Sequence, residues 1–255
     1  MDVSNSIQKQ AGASFRLLNG TPDYLTFEEI KKDPENLQIV SRSIRDWISL
    51  GRTASLKRMS FIIHQDSSYY EEMKNILLQR NFEYFSSKVM VYRDLPDCKA
   101  EELKYEWHNL EEESVLTEEG YKDLWGNCMS GSENARSTLS MEEHLRSVKL
   151  ELGPYWRKSC YAVYENNKPL GIAIPHIEPG TSDEGRLFYF GLVPEERGKG
   201  KSAGIHRDSL VLLHRLGAAF YVGSTDQANH GMQKVFLNND CRITSLIESY
   251  YYYFS

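Results

Sequence analysis

The stretch Val193–Gly204 (VPEERGKGKSAG) limits most tightly what this chain can be, because it joins an apolar run to an amphipathic one through closely spaced glycines and basic residues. Glycine lets backbone amides turn inward without interference from a Cβ, and a helix start adds unpaired N–H groups and a partial positive charge. Arg197, Lys199 and Lys201 contribute full charges. Such a turn suits a pyrophosphate. Two phosphate loops are nevertheless excluded. Gly200-Lys201-Ser202 imitates the end of GxxxxGK[ST], but that motif needs glycine at position 195, where Glu195 stands. GxGxxG built on Gly198 and Gly200 needs glycine at 203, where Ala203 stands.

The flanks of the turn read as secondary structure. Leu187–Val193 is apolar on both faces, the mark of a central strand, and Gly191 inside it predicts a bulge or a close backbone approach. Ser202–Leu216 carries Ile205, Leu212, Leu213 and Leu216 as a helical stripe closed by Gly217, and Ala218–Gly223 is the next strand. Upstream, Lys104–Leu110 alternates like a strand and Glu118–Met129 has helical spacing. Ser140 with Glu143 forms a capping box for a helix over Leu139–Leu152. Cys160–Ile174 is a hairpin turning at Glu165–Lys168, with Pro169 at a strand start. The class is α/β with a mixed sheet.

The first hundred residues echo the end of the chain. Met59–Ile63, Met73–Phe82 and Lys88–Tyr92 match Ala219–Val222, Met232–Cys241 and Ser249–Tyr253 as a strand, helix, strand unit occurring twice. Two related lobes follow, 1–97 and 98–255, with a boundary near Pro96 and Asp97. Two unrelated pieces of similar pattern would look the same.

The 255 residues are 40 % hydrophobic and 26 % charged, which supports a folded core. Thirty Lys and Arg against 36 Asp and Glu give a net charge of −6 with no basic tract, so nucleic acid is not an expected partner. Neither a membrane span nor a signal peptide is visible, and a cytoplasmic protein is expected. Cys98, Cys128, Cys160 and Cys241 form no CxxC and read as reduced packing residues. The seven histidines (His64, His108, His144, His176, His206, His214 and His230) form no short metal pair, so no metal is expected.

With Val193-Pro194 before it, the turn Arg197–Ser202 resembles the diagnostic loop of the GNAT family of acetyl-CoA-dependent N-acyltransferases, Q/R-x-x-G-x-G/A; Arg197 and Gly200 match, and Ser202 replaces the final Gly or Ala. The likeness extends over about Leu103–Phe254 in element order. It implies a GNAT fold preceded by a smaller α/β lobe, with acetyl-CoA as cosubstrate and no metal. On this resemblance the strand bulges at Gly191 and parts from its neighbour, Leu192 and Val193 meet the pantetheine arm through their backbone, and Arg197, Gly198, Lys199, Gly200, Lys201 and Ser202 hold the pyrophosphate. Asn229 matches an asparagine ahead of the last helix, although an ordinary helix cap would look the same.

Acyl transfer also needs an acceptor for the amine's proton. Glu184 stands where some family members carry a general base, a solvated turn residue being the plain alternative, and Tyr189 is a second candidate. Phe236 occupies the position at which many members place a tyrosine that protonates the departing thiolate. The expected activity is transfer of acetyl to a primary amine, of a small molecule before a protein. A noncatalytic acyl-CoA-binding sensor is the alternative. The Tyr250–Phe254 run reads as strand packing before an acceptor pocket, and Glu111–Glu113 as a solvated charge cluster.

Overall fold

A computed structural model describes residues 15–21, 23–30, 37–95, 102–112, 114–134, 137 and 139–254. The chain forms two compact units, residues 1–89 with 245–255 and residues 90–244. No helix among the described residues is long and apolar enough to cross a membrane.

In the first unit, β1 (Phe15–Gly20) pairs antiparallel with β2 (Tyr24–Glu29), which runs parallel to β3 (Arg58–His64) after α1 (Leu37–Thr53). Leu25 and Phe27 on β2 and Met59, Phe61 and Ile63 on β3 alternate inward. Ile44, Trp47 and Ile48 form the facing stripe of α1. Phe27 is stacked between Trp47 and Phe61, with ring centroids 4.4 and 4.6 Å away. Next come α2 (Tyr70–Gln79) and β4 (Glu83–Asp94), the latter in this unit as far as Val89.

The closing strand comes from the far end of the chain. β10 (Arg242–Tyr253) pairs antiparallel with β3, from Ile247 against His64 to Tyr253 against Arg58. This pairing carries 245–255 into the first unit, and Tyr250, Tyr252 and Phe254 pack in its core, as the strand-packing reading expected. The division therefore falls at Val89 and Met90, ahead of the expected boundary; Pro96 and Asp97 lie outside the described residues.

In the second unit the strand order is β9-β8-β7-β6-β5. The strands are β5 (Glu106–Asn109), β6 (Tyr161–Glu165), β7 (Lys168–Ile177), β8 (Glu184–Leu192) and β9 (Phe220–Asp226). β5 to β8 are antiparallel neighbours, and β8 runs parallel to β9. Beyond β9 lies the end of β4, where the Leu95 N–H donates to the Ala219 carbonyl and Tyr92 stacks on Phe220. Asn166 and Asn167 turn the β6–β7 hairpin at φ 52° and 60°, as a tight two-residue turn requires.

The helices are α3 (Glu118–Met129), α4 (Met141–Leu152), the single turn α5 (Trp156–Ser159), α6 (Ser202–Arg215) and α7 (His230–Asn238). The Ser140/Glu143 capping box starts α4, and a Gly217 φ of +101° follows α6. Tyr121, Trp125, Leu145 and Val148 of α3 and α4 pack on Ile172 and Ile174, while Ile205 of α6 packs on Leu170 and Leu192. Both strand, helix, strand units exist, as β3-α2-β4 and β9-α7-β10. Cys128, Cys160 and Cys241 are free and buried, and Cys98 lies outside the described residues.

The bulge in β8 is not at Gly191. Gly191 is in register with Ile172, and the register slips between Ala173 opposite Phe190 and Pro175 opposite Leu187, so Phe188 and Tyr189 share one partner position. A Cβ at Gly191 would lie 2.6 Å from the Tyr189 hydroxyl, so that a side chain there would have to displace the Tyr189 ring.

Candidate functional site

β8 and β9 pair only at Glu184 with Phe220 and at Gly185 with Tyr221. Past Gly185 the two strands have no shared ladder, which leaves main-chain groups of β8 uncovered along the gap. The Val193 N–H donates to the Leu170 carbonyl at 3.0 Å. Antiparallel residues alternate in direction, so the peptide groups of Leu192 face away from β7 toward this gap. Leu192 can thus offer its N–H to a ligand; Val193 cannot, its N–H being taken.

A cleft of about 360 Å³ opens here, lined by Tyr189, Leu192, Gly198 and Ser202 on one side and by Asn229 and Met232 on the other. Its floor is the turn into α6. Backbone φ alternates in sign through that turn: −73° at Arg197, +70° at Gly198, +73° at Gly200 and −78° at Lys201. Such alternation turns neighbouring N–H groups toward one side, a nest for an anion. Nothing lies within 4 Å of a Cβ built on either glycine, so glycine serves here through its left-handed φ and not through close packing. Among the described residues no side chain caps α6. The turn's backbone bonds run from the Arg197 N–H to the Pro194 carbonyl and from the Ile205 N–H to the Lys201 carbonyl, leaving the intervening amides without such a partner.

The charged residues of the turn are held elsewhere. The Arg197 Nε donates to the Leu192 carbonyl, Nη1 to the Ser130 and Gly131 carbonyls, and Nη2 to the Cys128 carbonyl at 2.7 Å. It is therefore a clamp on the end of α3, in contrast to its expected role on pyrophosphate. Lys168, Lys199 and Lys201 all donate to the buried carboxylate of Glu196, and Lys201 also donates to Glu165 at 2.6 Å. These bonds, Lys168's foremost and Lys201's next, pull the Glu196 carboxyl down to about 2 against the effect of burial. Bonds to Glu165 and Glu196 raise Lys201 to about 12. Three ammonium groups against two carboxylates leave a local excess of positive charge beside the open amides.

Asn229 is a helix cap: its Oδ1 accepts from the Met232 N–H at 2.9 Å, while its Nδ2 donates to Asn134 Oδ1. Asn134 Oδ1 also accepts from Thr225 Oγ1 and the Asp226 N–H, tying the loop after α3 to the turn before α7. Phe236 does not line the cleft; it is buried against His206 and Tyr221. His206 is fully buried in this aromatic group, and burial lowers its pKa to about 3. Burial likewise raises the Cys128 thiol to about 12 and the Tyr189 phenol, and both side chains line the cleft in their neutral forms.

Glu184 lies at the opposite end of β8. It accepts from Arg186 Nε at 2.6 Å and is not in the lining; Glu133 is the carboxylate that is. The Glu112 carboxylate lies 2.7 Å from His108 Nδ1 and Glu111 pairs with Lys158, consistent with a solvated cluster; Glu113 lies outside the described residues. Sequence reasoning missed Asn134, which sits in a polar stretch without periodicity, and Glu196, whose three lysines come together only in the fold.

No known family model matches the sequence, and comparison with curated proteins gives no match. Solved structures do match. A GCN5-related N-acetyltransferase from Sphaerobacter thermophilus superposes with a TM-score of 0.62 at 11% identity, over 94% of this chain and 76% of that one. A tandem GNAT protein from the clavulanic acid biosynthesis pathway gives 0.58 at 12% identity, over 94% and 78%. A GCN5-related N-acetyltransferase from Kribbella flavida gives 0.57 at 9% identity, over 97% and 93%. Likeness at this identity speaks for architecture, and the parted β8 and β9 with an open turn between strand and helix speak for the same one: the chain has the GNAT acyltransferase fold.

Proposed function

We propose that the chain is an acetyl-CoA-dependent N-acetyltransferase acting on the primary amine of a small molecule. The observation that carries this reading is the uncapped α6 turn at the mouth of the gap between β8 and β9. Amides from Gly198 to Ser202 suit a pyrophosphate, Lys199 and Lys201 add charge nearby, and the Leu192 N–H suits an amide of the pantetheine arm or a developing oxyanion. Acetyl-CoA brings an already activated thioester, so the chain's task is to orient the reactants and accept a proton. The amine nitrogen bonds to the acetyl carbon, the carbon–sulfur bond breaks, and the amine's proton passes to a base or water at the cleft. Glu133 is the carboxylate nearest that task by its place in the lining. The expected setting is the cytoplasm, on the sequence argument.

A second reading, an acyl-CoA-binding protein without catalysis, is favoured by the burial of Phe236 where a tyrosine would act and by the pairing of Glu184 with Arg186. Incubation with acetyl-CoA and a broad panel of small amines separates the two. Release of free thiol that depends on the amine supports the enzyme. Thermal stabilisation by CoA with no thiol release supports the binding protein, and absence of any shift at saturating CoA contradicts both.

A further inference from the structure

Away from the cleft, three ligand-type side chains converge where α4 ends against β7. The His176 Nε2 lies 3.8 Å from Glu151 Oε1 and 3.6 Å from Glu178 Oε2. His176 is 5% exposed, and its Nε2 has no hydrogen-bond partner among the described residues. Its Nδ1 lies 3.4 Å from the Ile174 carbonyl, which only accepts, so the tautomer with the hydrogen on Nδ1 suits that contact and frees Nε2 for a ligand. Nε2 and one oxygen of each carboxylate thus form a group of three possible ligand atoms, all within 4.8 Å of one another.

We propose that Glu151, His176 and Glu178 form a binding site for one divalent first-row cation, for which zinc is the probe. A zinc ion about 2.0–2.2 Å from imidazole nitrogen and carboxylate oxygen sets its tetrahedral ligands roughly 3.3–3.6 Å apart, and side-chain rotation would have to draw together donor atoms that lie within 4.8 Å of one another. The nitrogen ligand selects against magnesium and calcium, which take oxygen. Two carboxylates balance the cation's charge. Arg186 lies 3.3 Å from Glu178 Oε2, but its own charge is answered by Glu184 at 2.6 Å, and it orients Glu178 as an outer partner. The Ile174 carbonyl plays the same part for His176. Burial holds the Glu151 carboxyl above its usual range, a direction that a bound cation reverses. The exposed side chain of Glu151 gives the ion a way in and leaves a coordination position for water. Occupancy would clip the end of α4 to β7, independently of CoA, since none of the three residues lines the cleft. The lack of a sequence signal is understandable, because only His176 and Glu178 are neighbours along the chain.

The test is calorimetric titration of the EDTA-treated full chain with zinc chloride near neutral pH, on the native protein and on His176→Gln and Glu151→Gln. Burial pushes the thiols of Cys128, Cys160 and Cys241 up to about 12, which disfavours them as competing ligands, and the titration is repeated on Cys98→Ser to remove the fourth thiol. One zinc per chain is expected, with affinity lowered at least about 10-fold in each variant, since loss of a ligand costs no less than loss of an outer partner; the exposed position of Glu151 keeps that variant folded if His176→Gln fails. No saturable binding, or undiminished binding in Glu151→Gln, overturns the proposal. So does a His176 ring whose nitrogen resonances remain those of a doubly protonated imidazole in excess zinc, the signature of a histidinium held between two carboxylates.

Discussion

Two strand-to-helix turns border the same cleft, and they treat their helix ends in opposite ways. The turn from β9 to α7 is closed by protein side chains: Asn229 caps the helix, and Asn134 Oδ1, from the loop after α3, collects donors from Thr225, Asp226 and Asn229. The turn from β8 to α6 has two glycines at positive φ and no cap, and its arginine is committed to the carbonyls after α3. A helix end whose leading amides are mostly met by the protein has less to offer an anion. One left open keeps its amides and its share of the helix dipole for a ligand.

Several substitutions would break or sharpen this contrast. Gly200→Asp is expected to act most strongly, because a carboxylate enters the nest and a left-handed φ disfavours any Cβ by roughly 1–2 kcal/mol. CoA affinity should fall about 100-fold or more, roughly 2.8 kcal/mol, as read by titration. Binding within a few fold of the native value would mean that the open turn does not receive CoA. Arg197→Lys should cost about 2 kcal/mol in urea unfolding, since an ammonium cannot reproduce a fork spread over four carbonyls. A variant of native stability that binds CoA more weakly would return Arg197 to the ligand.

Asn229→Ala should lose about 1 kcal/mol of stability as a lost helix cap. CoA affinity should change little; a collapse of binding would show that Asn229 also contacts the ligand. The smallest effect concerns pH. Glu196 is depressed to about 2 in the fold from 4.5, so its contribution is fully present above the unfolded value and is lost as pH falls from 4.5 through 2. Acid titrations of native protein and Glu196→Gln should diverge only over that window.

Local chemistry made much of the fold legible. The α3 limits follow from helical spacing, the α4 start from a capping box, and the β6–β7 turn from two adjacent asparagines. β1, β2 and α1 were not anticipated, since their order emerges from the packing of Phe27 between Trp47 and Phe61. Long-range pairing was equally hidden: nothing near Tyr250 indicates that it joins β3 instead of its own preceding elements. At the site, the glycines announced an anion turn, but basic character alone could not reveal that Arg197 turns back onto the chain or that three lysines share Glu196. Gly191 illustrates the same limit, since a strand glycine signals either a bulge or a close neighbour, and only the register decides.

The central claim is that the amides between Gly198 and Ser202 receive the pyrophosphate of CoA. Amide hydrogen exchange of the native chain with and without saturating CoA reads those groups directly. Protection concentrated at these amides and at Leu192, with little change around the Asn229 cap, is the expected result. CoA binding that leaves them exchanging at the unliganded rate would contradict it.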